Sequence, residues 1–74
     1  MSKDFKKEAE HYLSVIADLY ALKKLSEEAY HRLCRQSERL EELGEEIEEG
    51  NVAAIPEAIE MSAEIGGEVA AAAG

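Results

Sequence analysis

Apolar residues recur along this chain at three- and four-residue intervals in three separate blocks, and each block predicts an amphipathic helix. In the first, Phe5, Ala9, Tyr12, Leu13, Ile16, Leu19 and Tyr20 keep the rhythm, while Lys3, Lys6, Lys7, Glu10, His11 and Asp18 fall mostly on the other side. The pattern predicts a helix over about residues 3–24, with Ser2 as its N-cap. Lysines near that start oppose the helix dipole.

Ser26-Glu27-Glu28 reads as an N-cap followed by an acidic first turn. It opens a second helix over about residues 27–49. Lys23–Glu27 and Lys24–Glu28 pairs would equally suit one unbroken helix through this point. The apolar positions are Ala29, Leu33, Leu40, Leu43 and Ile47, with Gln36 and Ser37 interrupting the stripe. Tyr30, Leu33, Ser37, Leu40, Gly44 and Ile47 also fit a heptad seam, too short to make a coiled coil. Gly44 costs about 1 kcal/mol against Ala inside a helix, so it either admits a neighbouring helix or marks a kink. Gly50-Asn51 suits a left-handed C-cap and turn.

Residues 52–55 leave room for one short turn, and Pro56 can open a third helix at a position that needs no amide hydrogen. That helix is predicted over about residues 56–72. Ile55, Ala58, Ile59, Ser62, Ile65, Gly66 and Val69 lie on one side, and Glu57, Glu60, Glu64 and Glu68 lie nearly opposite. Small residues recur every fourth position, as Ser62, Gly66, Ala70 and as Ala63, Gly67, Ala71. Gly66-Gly67 could instead end the helix. Three amphipathic helices with short turns predict an all-α fold, a small antiparallel three-helix bundle. The 74 residues make one domain with no internal repeat.

Charge changes the picture. The net charge is -9. Residues 1–39 carry all eight Lys and Arg against seven acids, whereas residues 40–74 carry ten glutamates and no base. The density peaks in 38–49, where seven glutamates accompany Arg39. On a helix Leu40, Leu43 and Ile47 cluster within about 60°, and most of the glutamates fan out opposite. Four like-charge i,i+4 pairs (Glu38–Glu42, Glu41–Glu45, Glu42–Glu46, Glu45–Glu49) cost about 0.2–0.5 kcal/mol each. No base follows Arg39 to offset them. This balance argues against direct nucleic-acid binding and against an anionic membrane surface.

Candidate chemistry is sparse. Glu8-x-x-His11 and Glu28-x-x-His31 have the spacing used in carboxylate-bridged di-iron bundles. Here His11 and His31 point about 140° and about 165° away from their own apolar stripes, so no buried metal site is expected. Cys34 is the single cysteine, which excludes an intrachain disulfide. His31 and Cys34 can meet at i,i+3, but no third group orients them and no pocket is indicated. The glutamates read as solvated rather than as an acid–base pair. No Gly-rich phosphate loop or calcium loop is present. No catalytic residue, metal or cofactor is expected. Nothing reads as a signal peptide or membrane span, and a reducing, cytoplasmic setting is the expectation, the host cytoplasm if the source is viral.

Three functions remain. One is an acidic protein that occupies a basic, nucleic-acid-binding surface of its target. Seven glutamates over about 16.5 Å of helix match the order of charge density of duplex DNA, about one per 1.7 Å. The partner-binding residues on this reading are Glu41, Glu42, Glu45, Glu48, Glu49, Glu57, Glu60, Glu64 and Glu68. By type, though by no shared motif, such a protein is similar to small acidic inhibitors of phage or mobile elements, including some anti-CRISPR proteins. The alternatives are a homo-oligomeric scaffold or adaptor that meets itself through Ser62, Gly66 and Ala70, and an antitoxin-like regulator ordered by its partner.

Overall fold

The computed structural model describes residues 4–74. It is an antiparallel three-helix bundle: α1 (Phe5–Ala21), α2 (Glu27–Glu48) and α3 (Ile55–Ala73), with one 3-10 turn over Val52–Ala54. The bundle is elongated, 39 × 18 × 16 Å. Its length is set by α2, whose 22 residues rise about 33 Å.

The helix ends follow local chemistry. The predicted cap Ser2 lies outside the described residues. Asp4 caps α1, its carboxylate accepting from the Lys7 amide at 3.1 Å. The first helix was expected to reach about residue 24 and stops at Ala21. Lys23 adopts φ 62°. Its amide donates to the Tyr20 carbonyl at 2.9 Å, and the Lys24 amide donates to Leu19 at 2.8 Å. This is a Schellman end built on a lysine instead of a glycine. It rules out the single unbroken helix. Ser26 caps α2 as predicted, accepting from the Ala29 amide at 3.1 Å. The same Schellman pattern closes α2, with Gly50 at φ 103° and Asn51 donating from its amide to Glu46. Of the expected pair, only Gly50 takes the left-handed conformation. Ile55 precedes Pro56 in α3, so the proline sits one residue further in than expected. The helix runs through Gly66-Gly67 to Ala73.

The core is assembled from large residues interleaved with small ones. Phe5, Ile16, Leu33, Leu40, Leu43 and Ile65 are buried beside Ala9, Ala54 and Ala58. Ser37, expected to interrupt the stripe, is fully buried within it. The α2 seam therefore follows Leu33, Ser37, Leu40 and Gly44. Gly44 marks close approach: a Cβ there would stand 3.0 Å from the Lys6 backbone nitrogen and 3.2 Å from Phe5 Cβ. Ile59 departs from its expected place and is 53% exposed. It lies about 100° round the helix from the buried Ala58, beyond the reach of the core. Tyr20 is likewise 39% exposed. It stacks on Tyr30 with ring centroids 4.2 Å apart.

Three substitutions check this packing by thermal or denaturant unfolding. Gly44→Ala gains helix propensity but drives a methyl into the α1 backbone, for an expected net loss of about 1 kcal/mol. Gly67→Ala meets nothing within 4 Å and should gain about 1 kcal/mol. Ser37→Ala removes a buried hydroxyl that has no hydrogen-bond partner, for an expected gain of about 1 kcal/mol.

Candidate protein-binding surface

The acidic stretch does not stand on the surface as one uninterrupted field. Arg39 sits between carboxylates from two helices. Its guanidinium lies 3.2 Å from Glu42, 3.6 Å from Glu46 and 3.5 Å from Glu57. The hydrogen bond to Glu42 leads the effects that hold Arg39 above its ordinary pKa, with Glu57 and Glu46 adding to it. Arg32 reaches across to Glu68 at 2.5 Å. Lys6 of α1 approaches Glu48 at 3.6 Å. Within α2, Glu42 and Glu46 are thus offset by the nearby Arg39, and Glu48 by Lys6, which is distant in sequence.

This pairing follows from helix geometry. Arg32 and Arg39 are seven residues apart, so they share one flank of α2 within about 20°. That flank borders α3, which runs antiparallel to α2 and offers Glu57 at one end and Glu68 at the other. Glu57 and Glu68, expected to face a partner, therefore help to hold α3 against α2. Glu42 and Glu48 are also engaged within the chain.

What is left is sharper. None of the ion pairs among the described residues involves Glu41, Glu45, Glu49, Glu60 or Glu64. Glu41, Glu45 and Glu49 succeed one another at i,i+4 along α2 and into its C-cap, Glu41 half-buried and the other two exposed. Glu60 and Glu64 lie on the outside of α3 and are exposed.

The small-residue stripe of α3 divides in the same way. Ser62 is 3% exposed. Its hydroxyl donates to the Glu8 carboxylate. The Tyr12 hydroxyl donates to the Ser62 carbonyl at 3.4 Å. A Cβ on Gly66 would come within 2.9 Å of that same hydroxyl. Ser62 and Gly66 are therefore occupied inside the bundle, and of the expected oligomer contact only Ala70 is exposed.

The remaining candidate groups lie apart. His11 and His31 are exposed. His31 Nε2 lies 3.7 Å from Glu27. Cys34 is half-buried and free. Its thiol is the first cause of the raised pKa of Tyr30, through charge interaction and a hydrogen bond, with burial and Tyr20 contributing less. Among the described residues no three His, Cys, Asp or Glu side chains converge as a metal site. Among them, too, no helix is long and apolar enough to cross a membrane.

Sequence reasoning missed Gln36 as a surface element. An open groove of about 450 Å³ between α2 and α3 is lined by Arg32, Gln36, Ala63, Glu64, Gly67 and Glu68. Gln36 is half-buried, and its Oε1 is covered and without a hydrogen-bond partner. Its place on the Arg32 flank of α2 was the available signal. No family model matches this chain, and neither do the curated proteins or the solved structures.

If Arg39 ties α2 to α3, Arg39→Met should lower the melting temperature at low salt. The difference should shrink as salt rises, because exposed pairs are screened. An equal difference at all salt concentrations would assign Arg39 a packing role instead.

Proposed function

We propose that this chain is a non-enzymatic protein-binding module whose outer α2 face occupies a basic, nucleic-acid-binding surface of its target. The observation that carries this reading is the row Glu41, Glu45 and Glu49. These residues have no ion-pair partner among the described residues. Among the described residues the cations pair elsewhere and leave this row uncompensated.

The physics favours use of the row. Carboxylates one helical turn apart lie about 6 Å from one another along the axis. That is shorter than the screening length of about 8 Å at physiological salt, so their fields add. The row repels itself, which costs stability in the isolated chain. A basic channel shaped for a phosphate backbone would meet it with matching sign and spacing. Glu60 and Glu64 extend the negative surface onto α3. The helices fix the carboxylates in place, so little ordering cost remains at binding. The type is that of small acidic inhibitors carried by phages against nucleic-acid-handling defences, by analogy of charge and size. Such a target would be met in the cytoplasm.

The triple reversal Glu41→Lys, Glu45→Lys and Glu49→Lys tests the reading. Wild-type protein should capture a nucleic-acid-binding protein from nuclease-treated lysate at low salt. Capture should fall with rising salt and with added duplex DNA. The triple variant, with its helical circular dichroism unchanged, should lose capture. Capture that survives the reversal, or that DNA fails to displace, would overturn it.

A further inference from the structure

The core seams of α1 and α2 share one register. From Phe5 the core positions of α1 advance by alternate steps of four and three residues, through Ala9, Tyr12 and Ile16 to Leu19. Tyr30, Leu33, Ser37, Leu40, Gly44 and Ile47 continue the same alternation on α2. Every one of these residues is buried or half-buried. The two positions that the alternation places between Leu19 and Tyr30 are Lys23 and Ser26. These are the residues that make the turn: Lys23 holds φ 62° and Ser26 caps α2. The repeat therefore runs straight through a turn that breaks the helix. A sustained seven-residue repeat is what a long, supercoiled helix requires.

The closed turn is under strain and leaves groups unused. A lysine in the left-handed region is disfavoured, and glycine is its usual occupant. Leu22 is 66% exposed. Yet it stands three residues after Leu19 and four before Ser26, at the edge of the same stripe. Lys23 and Lys24 stand four residues before Glu27 and Glu28, the spacing at which opposite charges pair along a helix. Neither lysine is in an ion pair among the described residues.

We infer that two chains of this protein exchange their α1 helices, each opening at Lys23 so that α1 and α2 join into one helix. Opening uncovers Phe5, Ala9, Ile16 and Leu19, which are buried in the closed bundle. Their cover must match the surface they left, and α2 and α3 of a second opened copy supply it residue for residue. The Tyr20–Tyr30 stack and the Lys6–Glu48 pair then re-form between chains. The exchange makes new contacts only at the hinge. In the closed bundle Phe5 lies against Gly44 and Tyr20 against Tyr30. The same antiparallel register, carried through the hinge, sets Lys23 of each copy beside Ser26 and Glu27 of the other and covers Leu22. Charge does not oppose the pairing. The two α2 helices run away from the hinge in opposite directions, so each Glu41 lies about 50 Å from its counterpart. That is far beyond the screening length of about 8 Å. The exchange does not depend on the acidic row having a partner.

Refolding the full chain from denaturant over a range of concentrations tests the exchange, with mass read by light scattering after size exclusion. A share of doubled mass that rises with concentration is expected. Lys23→Gly favours the closed turn by about tenfold per hinge. A dimer has two hinges, so its dissociation constant should rise about a hundredfold. Lys23→Leu with Ser26→Leu completes the stripe and removes the α2 cap, and should lower that constant by about tenfold or more. A cross-link separates exchange from simple contact between closed bundles. In a Cys34→Ser chain, Lys6→Cys and Glu48→Cys place two thiols where α1 meets α2, and a short bis-maleimide joins them. Exchanged pairs then run as covalent dimers on a denaturing gel, whereas closed bundles are cross-linked within single chains. Cross-links confined to single chains at every concentration would overturn the inference. So would a dissociation constant that Lys23→Gly leaves unmoved. Should the double leucine variant lose its helical circular dichroism, the cross-link in the chain with its own hinge still decides.

Discussion

Everything in this bundle depends on how closely its three helices approach. The described residues bury only ten hydrophobic side chains, and three of these are alanines. So few large residues can exclude water only if the helix axes are drawn together where the side chains are small. Gly44 lets the start of α1 settle on α2, and Gly66 lets Tyr12 settle on α3. Ala9 and Ala58 are fully buried on helices that face each other across the core. The cost is that serines enter the interior. Ser62 is satisfied by Glu8, whereas Ser37 has no partner. The same requirement explains why glycine is kept at mid-helix, where propensity alone would replace it.

Close approach in turn decides which charges can pair. The axes of α2 and α3 run near enough for arginines on one helix to reach glutamates on the other. Hence Arg32 and Arg39 meet Glu68 and Glu57 across the contact between these helices. Lys6 meets Glu48 where α1 is drawn in by Gly44. These pairs are exposed, and each contributes little on its own. Their larger effect is to sort the carboxylates. Among the described residues, carboxylates on the flanks of the contacts are paired, and Glu41, Glu45, Glu49, Glu60 and Glu64 are in no ion pair.

Much of this was legible in the residues. The three-to-four rhythm placed each helix, Ser26 marked the start of α2, and Gly50 marked its end. The close-approach role of Gly44 was one of two readings, and the backbone of Lys6 decides it. The end of α1 was misplaced because Lys23 carries no left-handed signature: a β-carbon at φ 62° is disfavoured, and it is accompanied there by the Lys23 and Lys24 amide bonds back to Tyr20 and Leu19. Ile59 was misplaced because a stripe drawn from periodicity is wider than the surface a small core can cover. The acidic surface was read as one field because i,i+4 neighbours are visible in a sequence and cross-helix neighbours are not. Arg32, Gln36 and Lys6 acquire their roles only from the antiparallel packing.

The surviving acidic row has a thermodynamic consequence for any partner. Residues 40–74 contain ten glutamates and no base, so the folded chain gathers repulsion that the unfolded chain can spread out. Net charge far from zero destabilises the compact state in this way. A basic surface laid against the row would remove repulsion from the folded state alone. Binding and folding stability are then linked, because whatever binds only the folded form stabilises it by mass action. A bundle with a small core and an acidic surface would therefore gain stability from a cationic partner.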